Sequence, residues 1–299
     1  MNYLYYPGCS LEGTALEYNT STKRFLHEVG VNLTELDDWT CCGATAAEAI
    51  SPLLSLSLPA RNLALAEKID GDKDILVPCS ACYLNLKKVE KKIKSDPELL
   101  IKLNEILKEN GLVLKGKVRV RHLLDILSKD LGPQIIQSRL KRSLAGFRIA
   151  PYYGCQCLRP YSIFDDPEAP RSMDYLIKAT GAEIHSWKMG GKCCGASHMN
   201  TKTEVAIELT GAILKSAQGA DAIVTVCPMC QMNLEAYQDR ISKTNHKDLR
   251  ISILYLPQLL GLAVGLPEKD ISLDLNLAIT GAFHEKLYKS GIRKSVESL

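Results

Sequence analysis

The sequence predicts an α/β protein made of two pseudo-duplicated domains, each with a small, mostly parallel sheet and flanking helices. Two observations predict this fold. Short apolar runs typical of buried strands alternate with helical segments in both halves. In addition, ten of the eleven cysteines form one pattern twice: a lone cysteine, a Cys-Cys-Gly triplet and a Cys-x-x-Cys pair. Matching cysteines are 146, 152 and 148 residues apart, about half of the 299-residue chain. We therefore predict domains at 1–145 and 146–299.

The elements of the first half follow from its apolar runs and from the positions of glycine and proline. In order, we predict a strand at 3–6, a helix at 14–29, a strand at 31–36, a helical segment at 44–69, a strand at 74–77 and a helix at 81–94. Gly30 closes the first helix, and Pro52 and Pro59 are expected to break or kink the helical segment.

The second half repeats this order. We predict a strand at 147–153, a helix at 173–180, a strand at 182–187, a helix at 205–217 and a strand at 222–226. Pro228 then occupies a position where the first turn of a helix tolerates proline. The segment 111–146 is expected to join the halves.

Composition and charge exclude several classes of function. The chain has 37 basic and 34 acidic residues without a basic stripe, which argues against nucleic-acid binding. The N-terminus lacks the pattern of a signal peptide. The longest apolar stretch, 251–267, is interrupted by Pro257 and is too short for a membrane span. We therefore expect a cytoplasmic protein whose thiols stay reduced.

Each set of cysteines follows predicted strands and precedes helices. Ligand sites in open α/β sheets collect at this edge, and a helix N-terminus favours thiolate over thiol. Each half offers five cysteines, whereas a zinc ion or a cubane iron–sulfur cluster takes four. The surplus favours an iron–sulfur cluster of unusual shape, in which the vicinal pair supplies a bridging thiolate. Two structural zinc sites, or one zinc and one cluster, remain alternatives.

Two glycines and one further cysteine complete this motif analysis. Gly43 and Gly195 follow the vicinal pairs, where a glycine lets the backbone approach a cluster and present N–H groups to its sulfurs. Cys157 has no counterpart in the first half, where Leu11 occupies its position. We interpret Cys157 as a buried free thiol.

At this level of detail the chain resembles the tandem cysteine-rich (CCG) domain family and, within it, the B subunits of heterodisulfide reductases. The resemblance covers the whole chain and matches all ten motif cysteines. They are Cys9, Cys41, Cys42, Cys79 and Cys82 in the first half and Cys155, Cys193, Cys194, Cys227 and Cys230 in the second.

This resemblance implies a cofactor content, an activity and partners. It implies two noncubane [4Fe-4S] clusters, one on each set of five cysteines. It also implies that the mixed disulfide of coenzymes M and B is cleaved between them. Electrons would arrive singly from the iron–sulfur C subunit and the flavin-bearing A subunit of heterodisulfide reductase. A related alternative is an electron-relay subunit of a lactate- or glycolate-oxidising complex.

Three further side chains are candidates for handling the substrate. His198 follows Cys194 by four residues and is a candidate catalytic proton donor. Lys192 precedes the second vicinal pair and Arg159 follows Cys155, so these two cations are candidates for binding the acidic groups of the substrate. A core or surface position with no catalytic role is the alternative for each.

Overall fold

The chain forms two sheets of four parallel strands, and each sheet takes all its strands from one half. A computed structural model of the protein describes residues 1–44, 46–70 and 73–296. The strands of the first sheet are β1 (Asn2–Tyr5), β2 (Asn32–Glu35), β3 (Ile75–Val77) and β4 (Val120–His122), in the order β2-β1-β3-β4. Those of the second are β5 (Arg148–Tyr152), β6 (Glu183–Ile184), β7 (Ala222–Thr225) and β8 (Ser252–Tyr255), in the order β6-β5-β7-β8. The predicted α/β class and duplicated architecture are confirmed.

Helices connect the strands and cover the sheets. Those of the first half are α1 (Cys9–Glu12), α2 (Leu16–Glu28), α3 (Ala47–Ile50), α4 (Pro52–Asp70), α5 (Ser80–Ser95), α6 (Pro97–Leu107), α7 (Leu123–Ile126) and α8 (Gly132–Ser138). Those of the second half are α9 (Ser172–Ala179), α10 (Thr203–Ser216), α11 (Pro228–Ala236), α12 (Gln238–Thr244), α13 (Leu256–Ala263) and α14 (Gly281–Val296). The central strands β3 and β7 are fully buried, as expected for parallel strands covered by helices.

The fourth strand of each sheet is absent from the predicted elements. β4 lies in the segment 111–146, which the sequence pattern indicates only as a connection. Its middle residue, Arg121, is charged but buried, because its guanidinium pairs with Asp125 at 2.5 Å and with Asp130 at 2.8 Å. Asp125 and Asp130 lie outside the strand. The sequence Val-Arg-His alone therefore does not indicate that Arg121 is neutralised and can occupy a buried strand. β8 and the buried helix α13 form the apolar stretch that begins at Ile251.

The prolines of the first half act differently from each other. The helical segment predicted at 44–69 is divided at Ser51, and Pro52 opens α4, where a missing backbone N–H costs nothing. Pro59 lies inside α4, so of the two expected effects it does not break the helix. Thr45, which belongs to the predicted segment, lies outside the described residues.

The two halves contact each other through two pairs of stacked rings. Tyr18 stacks on Tyr255, with ring centroids 4.0 Å apart and an angle of 1° between the planes. Phe164 lies parallel to His122, with centroids 6.0 Å apart and an interplanar angle of 4°. Tyr18 and Phe164 each follow the first motif cysteine of their half by nine residues. His122 and Tyr255 each end the last strand of their sheet. Each half therefore places a ring on the other at equivalent positions.

Each sheet takes its strands from one half of the chain, which supports placing a domain boundary between the halves. We propose the division at 145/146, because all strands of one sheet precede it and all strands of the other follow it. Residues 297–299 of the second domain lie outside the described residues. Across the described part of the chain, we find no helix with the length and apolar character needed to span a membrane.

The C-terminal helix α14 allows a matched test of core packing. Phe283 is 2% exposed and its ring lies 5.4 Å from that of Phe147, whereas Tyr288 on the same helix is 72% exposed. We expect Phe283→Ala to lower the free energy of unfolding by about 3–5 kcal/mol, because it leaves a cavity. Tyr288→Ala should change it by less than about 0.5 kcal/mol. Urea denaturation of both variants measures the difference, and equal losses would contradict this packing.

His122 should make stability depend on pH. Its ring is 0% exposed, and burial lowers its pKa to about 3. The rings of Tyr83 and Phe164 pack against it. An unfolded histidine binds a proton below about pH 6.5, whereas the folded one does so only near pH 3. His122 therefore destabilises the folded state progressively as the pH falls from 6.5 toward 3.

We expect the stability of the wild type relative to His122→Gln to rise between pH 4 and 6.5. The slope should reach about 1.4 kcal/mol per pH unit, and the difference should be constant above that range. Parallel pH profiles of the two proteins, measured by denaturant titration, would contradict the assignment of a neutral buried ring.

Candidate metal centre

The motif cysteines lie at one edge of each sheet, where the parallel strands end. Cys9 begins α1 shortly after β1, and Cys79 and Cys227 occupy the N-cap positions of α5 and α11 directly after β3 and β7. The vicinal pairs lie in loops between an edge strand and the next helix. Because all strands of a sheet run in the same direction, these loops converge. The geometry thus brings one, two and two cysteines together in each half.

Each set has a buried side and an accessible side. All eleven cysteines are free thiols, and each lies in the described part of the chain. Cys9, Cys41 and Cys193 are exposed, and Cys155 is half-buried. The other motif cysteines are buried, and they are Cys42, Cys79, Cys82, Cys194, Cys227 and Cys230. A group held by either set would therefore be anchored in the protein and open on one side.

Within each set the sulfurs lie in close pairs. In the first half, Sγ of Cys9 is 3.7 Å from that of Cys41, and Sγ of Cys42 is 3.3 Å from that of Cys82. In the second half, Sγ of Cys194 is 3.5 Å from that of Cys230. These separations are much longer than the ~2.05 Å of a disulfide bond. They are hydrogen bonds between thiols.

Such close packing couples the ionisation of neighbouring thiols in the first half. The contact with Cys41, followed by that with Cys82, lowers the pKa of the Cys42 thiol. The same contacts with Cys42 raise the pKa values of Cys41 and Cys82, and burial raises them further. One thiolate can form here, but a second beside it is opposed by its charge.

The second half shows the same coupling. The contact between Cys155 and Cys193 lowers the pKa of Cys193 and raises that of Cys155. The contact with Cys230 lowers the pKa of Cys227, while Cys194 and Cys227 raise that of Cys230. Five thiolates can coexist in either half only if cations replace their protons, which is the condition that a bound metal group meets.

Gly43 and Gly195 lie where the sequence predicts backbone N–H groups beside sulfur. The N–H of Gly43 donates to Sγ of Cys41 over 3.4 Å, and that of Gly195 to Sγ of Cys193 over 3.3 Å. Both glycines have left-handed backbone conformations, with φ of +73° and +78°. A Cβ on Gly195 would lie 2.9 Å from the backbone of Ala206. Glycine is thus required for conformation and for space.

Sequence reasoning missed a second pair of glycines, Gly8 and Gly154. Each immediately precedes the first motif cysteine of its half and has a left-handed conformation. A Cβ on Gly8 would lie 2.8 Å from Sγ of Cys82, and a Cβ on Gly154 would lie 3.0 Å from Sγ of Cys230. The dipeptide Gly-Cys, present at equivalent places in both halves, was the signal that could have identified them.

Tyrosine and asparagine side chains that we also missed hold the vicinal pairs in place. Tyr6 and Tyr152 each lie three residues before the first motif cysteine. Their hydroxyls donate to the carbonyl oxygens of Thr40 (2.8 Å) and Lys192 (2.7 Å), the residues just before each vicinal pair. These four residues form the same clamp in both halves.

The asparagines follow the last motif cysteine of each half by three residues. The amide of Asn85 donates to the carbonyl of Cys42 over 3.0 Å, and that of Asn233 donates to the carbonyl of Cys194 over 3.2 Å. The repeated pattern Cys-x-x-Cys-x-x-Asn in the sequence was sufficient to reveal them. They tie the Cys-x-x-Cys helix to the vicinal loop.

The candidate substrate residues lie beside the second set. His198 ends a short 3₁₀ turn and is exposed, and its charge helps to lower the pKa of Cys193. Arg159 exerts the same effect, but its guanidinium also donates to the carbonyls of Pro167 and Gly191. Lys192 lies next to Cys193 in the chain and is exposed.

Cys157 is buried, as predicted for a free thiol. Its Sγ lies 3.2 Å from the carbonyl oxygen of Tyr153, and burial raises its pKa. It therefore behaves as a small apolar side chain with a weak donor.

The Cys-x-x-Cys loops of the two halves are in contact. The hydroxyl of Tyr18 lies 3.1 Å from the carbonyl oxygen of Pro78 and 3.2 Å from that of Val226, the residues that precede Cys79 and Cys227. The hydroxyl of Ser80 donates to the same oxygen of Val226 over 3.1 Å. The two cysteine sets are thus joined directly rather than held on separate surfaces.

The donor set fits a multi-iron group better than single ions. Among the described residues, no three or more histidine, cysteine, aspartate or glutamate side chains are grouped so as to hold one metal ion. Cys42 contacts both Cys41 and Cys82, and Cys82 also contacts Cys79, so the sulfurs form a chain of contacts, whereas zinc requires one tetrahedron of four ligands. Ligands of an iron–sulfur cluster bind different irons and need no such tetrahedron.

Gly8 and Gly111 allow backbone strain to be separated from contact with sulfur. Both have left-handed φ angles, +74° and +65°, but a Cβ on Gly111 would have no neighbour within 4 Å. We expect alanine to cost about 1–2 kcal/mol of stability at Gly111, whose ψ of 27° is left-handed helical, and more at Gly8, whose ψ of 164° is open essentially to glycine alone. Only Gly8→Ala should also displace Cys82 and lose the metal of one half, about half of the wild-type content. Elemental analysis checks this, and equal metal content in both variants would contradict it.

Comparison with known proteins agrees with the duplicated site. The family model described as Cysteine-rich domain (CCG) matches residues 3–87 and 149–235. A protein of Helicobacter pylori, known from a crystal structure and described as hypothetical, superimposes with a TM-score of 0.75 at 19% identity. The match covers 93% of this chain and 52% of that one, so the chain spans about half of that protein. This likeness concerns the fold alone.

Two relatives match along almost their whole length. The 8-methylmenaquinol:fumarate reductase membrane anchor subunit of Wolinella succinogenes is 33% identical, over 92% of this chain and 96% of its own. The B subunit of the ferredoxin/F420H2-dependent CoB–CoM heterodisulfide reductase of Methanosarcina acetivorans is 31% identical, over 96% and 97%. The chain therefore belongs to the cysteine-rich (CCG) domain family, as an iron–sulfur protein related to heterodisulfide reductases.

Proposed function

We propose that the chain is the disulfide-reducing subunit of a heterodisulfide reductase. It would convert the mixed disulfide of coenzymes M and B, with two electrons and two protons, into two thiols. The observation that carries this proposal is the contact between two equivalent five-cysteine sites, through Ser80 and the carbonyl of Val226. Two adjoining one-electron centres suit a bond whose cleavage needs two electrons.

We further propose that each half holds one noncubane [4Fe-4S] cluster. The first would bind Cys9, Cys41, Cys42, Cys79 and Cys82, and the second Cys155, Cys193, Cys194, Cys227 and Cys230. When bound, the clusters supply the electrons and the iron sites that accept the substrate sulfurs. The buried cysteines anchor the clusters and exclude water, while the exposed thiols of Cys9, Cys41 and Cys193 mark the side from which a substrate arrives.

The chain's own side chains have separate tasks in this proposal. The N–H groups of Gly43 and Gly195 donate to ligand sulfurs and stabilise their negative charge. His198 is exposed beside Cys193 and donates a proton to a departing thiolate. Lys192 and Arg159 attract the acidic groups of the substrate. Arg159 is already bonded to two backbone carbonyls and paired with Glu168 at 3.1 Å, so the acidic group of the substrate would have to replace that carboxylate.

Electrons would come from partner proteins. We propose that the iron–sulfur C subunit of the complex delivers them singly, and that the flavin-bearing A subunit supplies the C subunit. Relatives named as B and D subunits of heterodisulfide reductases support membership of a multi-subunit complex. We propose a cytoplasmic site of action, where eleven free thiols would stay reduced.

A second candidate function is electron relay in a quinol-linked complex. It is favoured by the 33% identity to the membrane anchor subunit of a methylmenaquinol:fumarate reductase. The same clusters would then pass electrons between partner proteins without binding a disulfide. The cysteine sites serve both functions equally well.

The clusters are tested by iron and sulfide content after anaerobic purification. We expect about eight irons and eight sulfides per chain, from two four-iron clusters. Cys42→Ala and Cys194→Ala should each lose about half of both, because each removes one ligand of the vicinal pair from a different half. Zinc in place of iron, or unchanged content in both variants, would contradict the proposal.

The substrate is tested with the oxidised, cluster-loaded protein. We expect the coenzyme M–coenzyme B disulfide to change its electron paramagnetic resonance (EPR) spectrum, because substrate sulfur would bind next to the clusters. Cystine, which lacks the sulfonate and phosphate groups, serves as the control. A spectrum that does not respond to the heterodisulfide but changes when a menaquinol analogue is added would favour electron relay.

A further inference from the structure

We propose that Ser80, although it belongs to the first half, is a positioning residue of the second metal site, where its hydroxyl raises the reduction potential of the bound cluster. This inference rests on the proposed clusters but not on the identity of their substrate. Ser80 lies between Cys79 and Cys82 in sequence, so its obvious assignment is to the first site. Its contacts indicate otherwise.

The side chain of Ser80 points toward the second half. It is 1% exposed, and its Oγ lies 3.1 Å from the carbonyl oxygen of Val226, directly before Cys227. Ser80 also lines the cavity formed by the second set of cysteines, beside Cys155 and Cys193. The second site is therefore completed by a residue from the first half.

His122 fixes the direction in which the Ser80 hydroxyl donates. The backbone N–H of Leu124 donates to Nδ1 of His122, so the ring carries its hydrogen on Nε2. That nitrogen lies 3.2 Å from Oγ of Ser80 and can only donate, either to Oγ or to the carbonyls of Pro78 and Val226. The serine therefore cannot donate to His122, and its own hydrogen is left for the carbonyl of Val226.

The second half has no equivalent donors directed at the first site. The residue equivalent to Ser80 is Pro228, which has neither a hydroxyl nor an N–H. The residue equivalent to Tyr18 is Phe164, whose ring cannot donate. The hydroxyls at the contact between the two loops therefore come from the first half, and Val226 accepts from Tyr18 as well as from Ser80.

Hydrogen bonds at this place favour the reduced state. A cluster gains negative charge on reduction, and donors aimed at its thiolates or at adjoining carbonyls stabilise that charge. Removal of the hydroxyl should make reduction of the second cluster harder.

The test is a redox titration of the cluster-loaded protein, followed by EPR. Cys9→Ser and Cys193→Ser first assign each signal to a half by its loss. In Ser80→Ala, we expect the reduced-to-oxidised ratio of the second cluster at a fixed potential to fall about tenfold, equivalent to ~59 mV for one electron. The first cluster should change much less, because the hydroxyl bonds to His122 and Val226 and not to the sulfurs of the first half.

Two further variants separate this role from a structural one. Ser252→Ala removes another buried hydroxyl of the second half, bonded to Thr280, and should lower stability without moving either potential. Tyr18→Phe keeps the ring stack and removes the donor near both carbonyls, so both potentials should fall. If Ser80→Ala does not fold, an unchanged second potential in Tyr18→Phe overturns the inference.

The outcomes also distinguish this inference from the proposed function. Iron-loaded Ser80→Ala with an unchanged second potential, or with an equal shift of both, overturns the role of Ser80 alone. A shifted potential in a protein that does not respond to the heterodisulfide supports the role of Ser80 and contradicts the proposed substrate. A wild-type protein without iron overturns both.

Discussion

Repulsion between crowded thiolates is the constraint on which the rest of the structure depends. Buried sulfurs that lie 3.3 and 3.5 Å apart cannot all ionise unless cations lie between them. The fold holds this unfavourable arrangement ready. Parallel strands direct three loops to one edge, and the helices that follow place their positive N-terminal ends beside the sulfurs. The protein is preorganised for a charged group with several metal ions.

Neutral groups, rather than charges, position the sulfurs within that arrangement. Tyr6 and Asn85 bond to backbone carbonyls on either side of the first vicinal pair, and Tyr152 and Asn233 do the same in the second half. Gly8 and Gly154, which precede the first motif cysteine of each half, leave room for sulfur that any side chain would fill. The tyrosine and asparagine side chains bond to backbone carbonyls, and they do so in the same way in both halves. The position of the backbone therefore sets the geometry of the two sites.

The sequence predicted those parts of the fold and site whose signals are local. Apolar runs and the doubled cysteines were sufficient for six strands, for the duplication and for all ten candidate ligands. The strand around Arg121 was missed because its charge is neutralised by Asp125 and Asp130, which only the folded chain brings near. The repeat of the motif includes Asn85, but an asparagine by itself does not indicate a function, so it was missed. The contact between Ser80 and Val226 joins residues 146 positions apart, so no local pattern encodes it.

The reciprocal ring stacks have a consequence for how such a molecule can arise. A two-fold symmetric dimer of one half would make the same stack twice, because in an isologous interface a contact between two positions recurs with the protomers exchanged. Joining the halves in one polypeptide removes that identity requirement. Tyr18 on Tyr255 and Phe164 on His122 occupy equivalent positions of the two halves, yet the residues differ. A fused chain can therefore have two metal sites with different reduction potentials in an otherwise symmetric fold, which a symmetric homodimer cannot have.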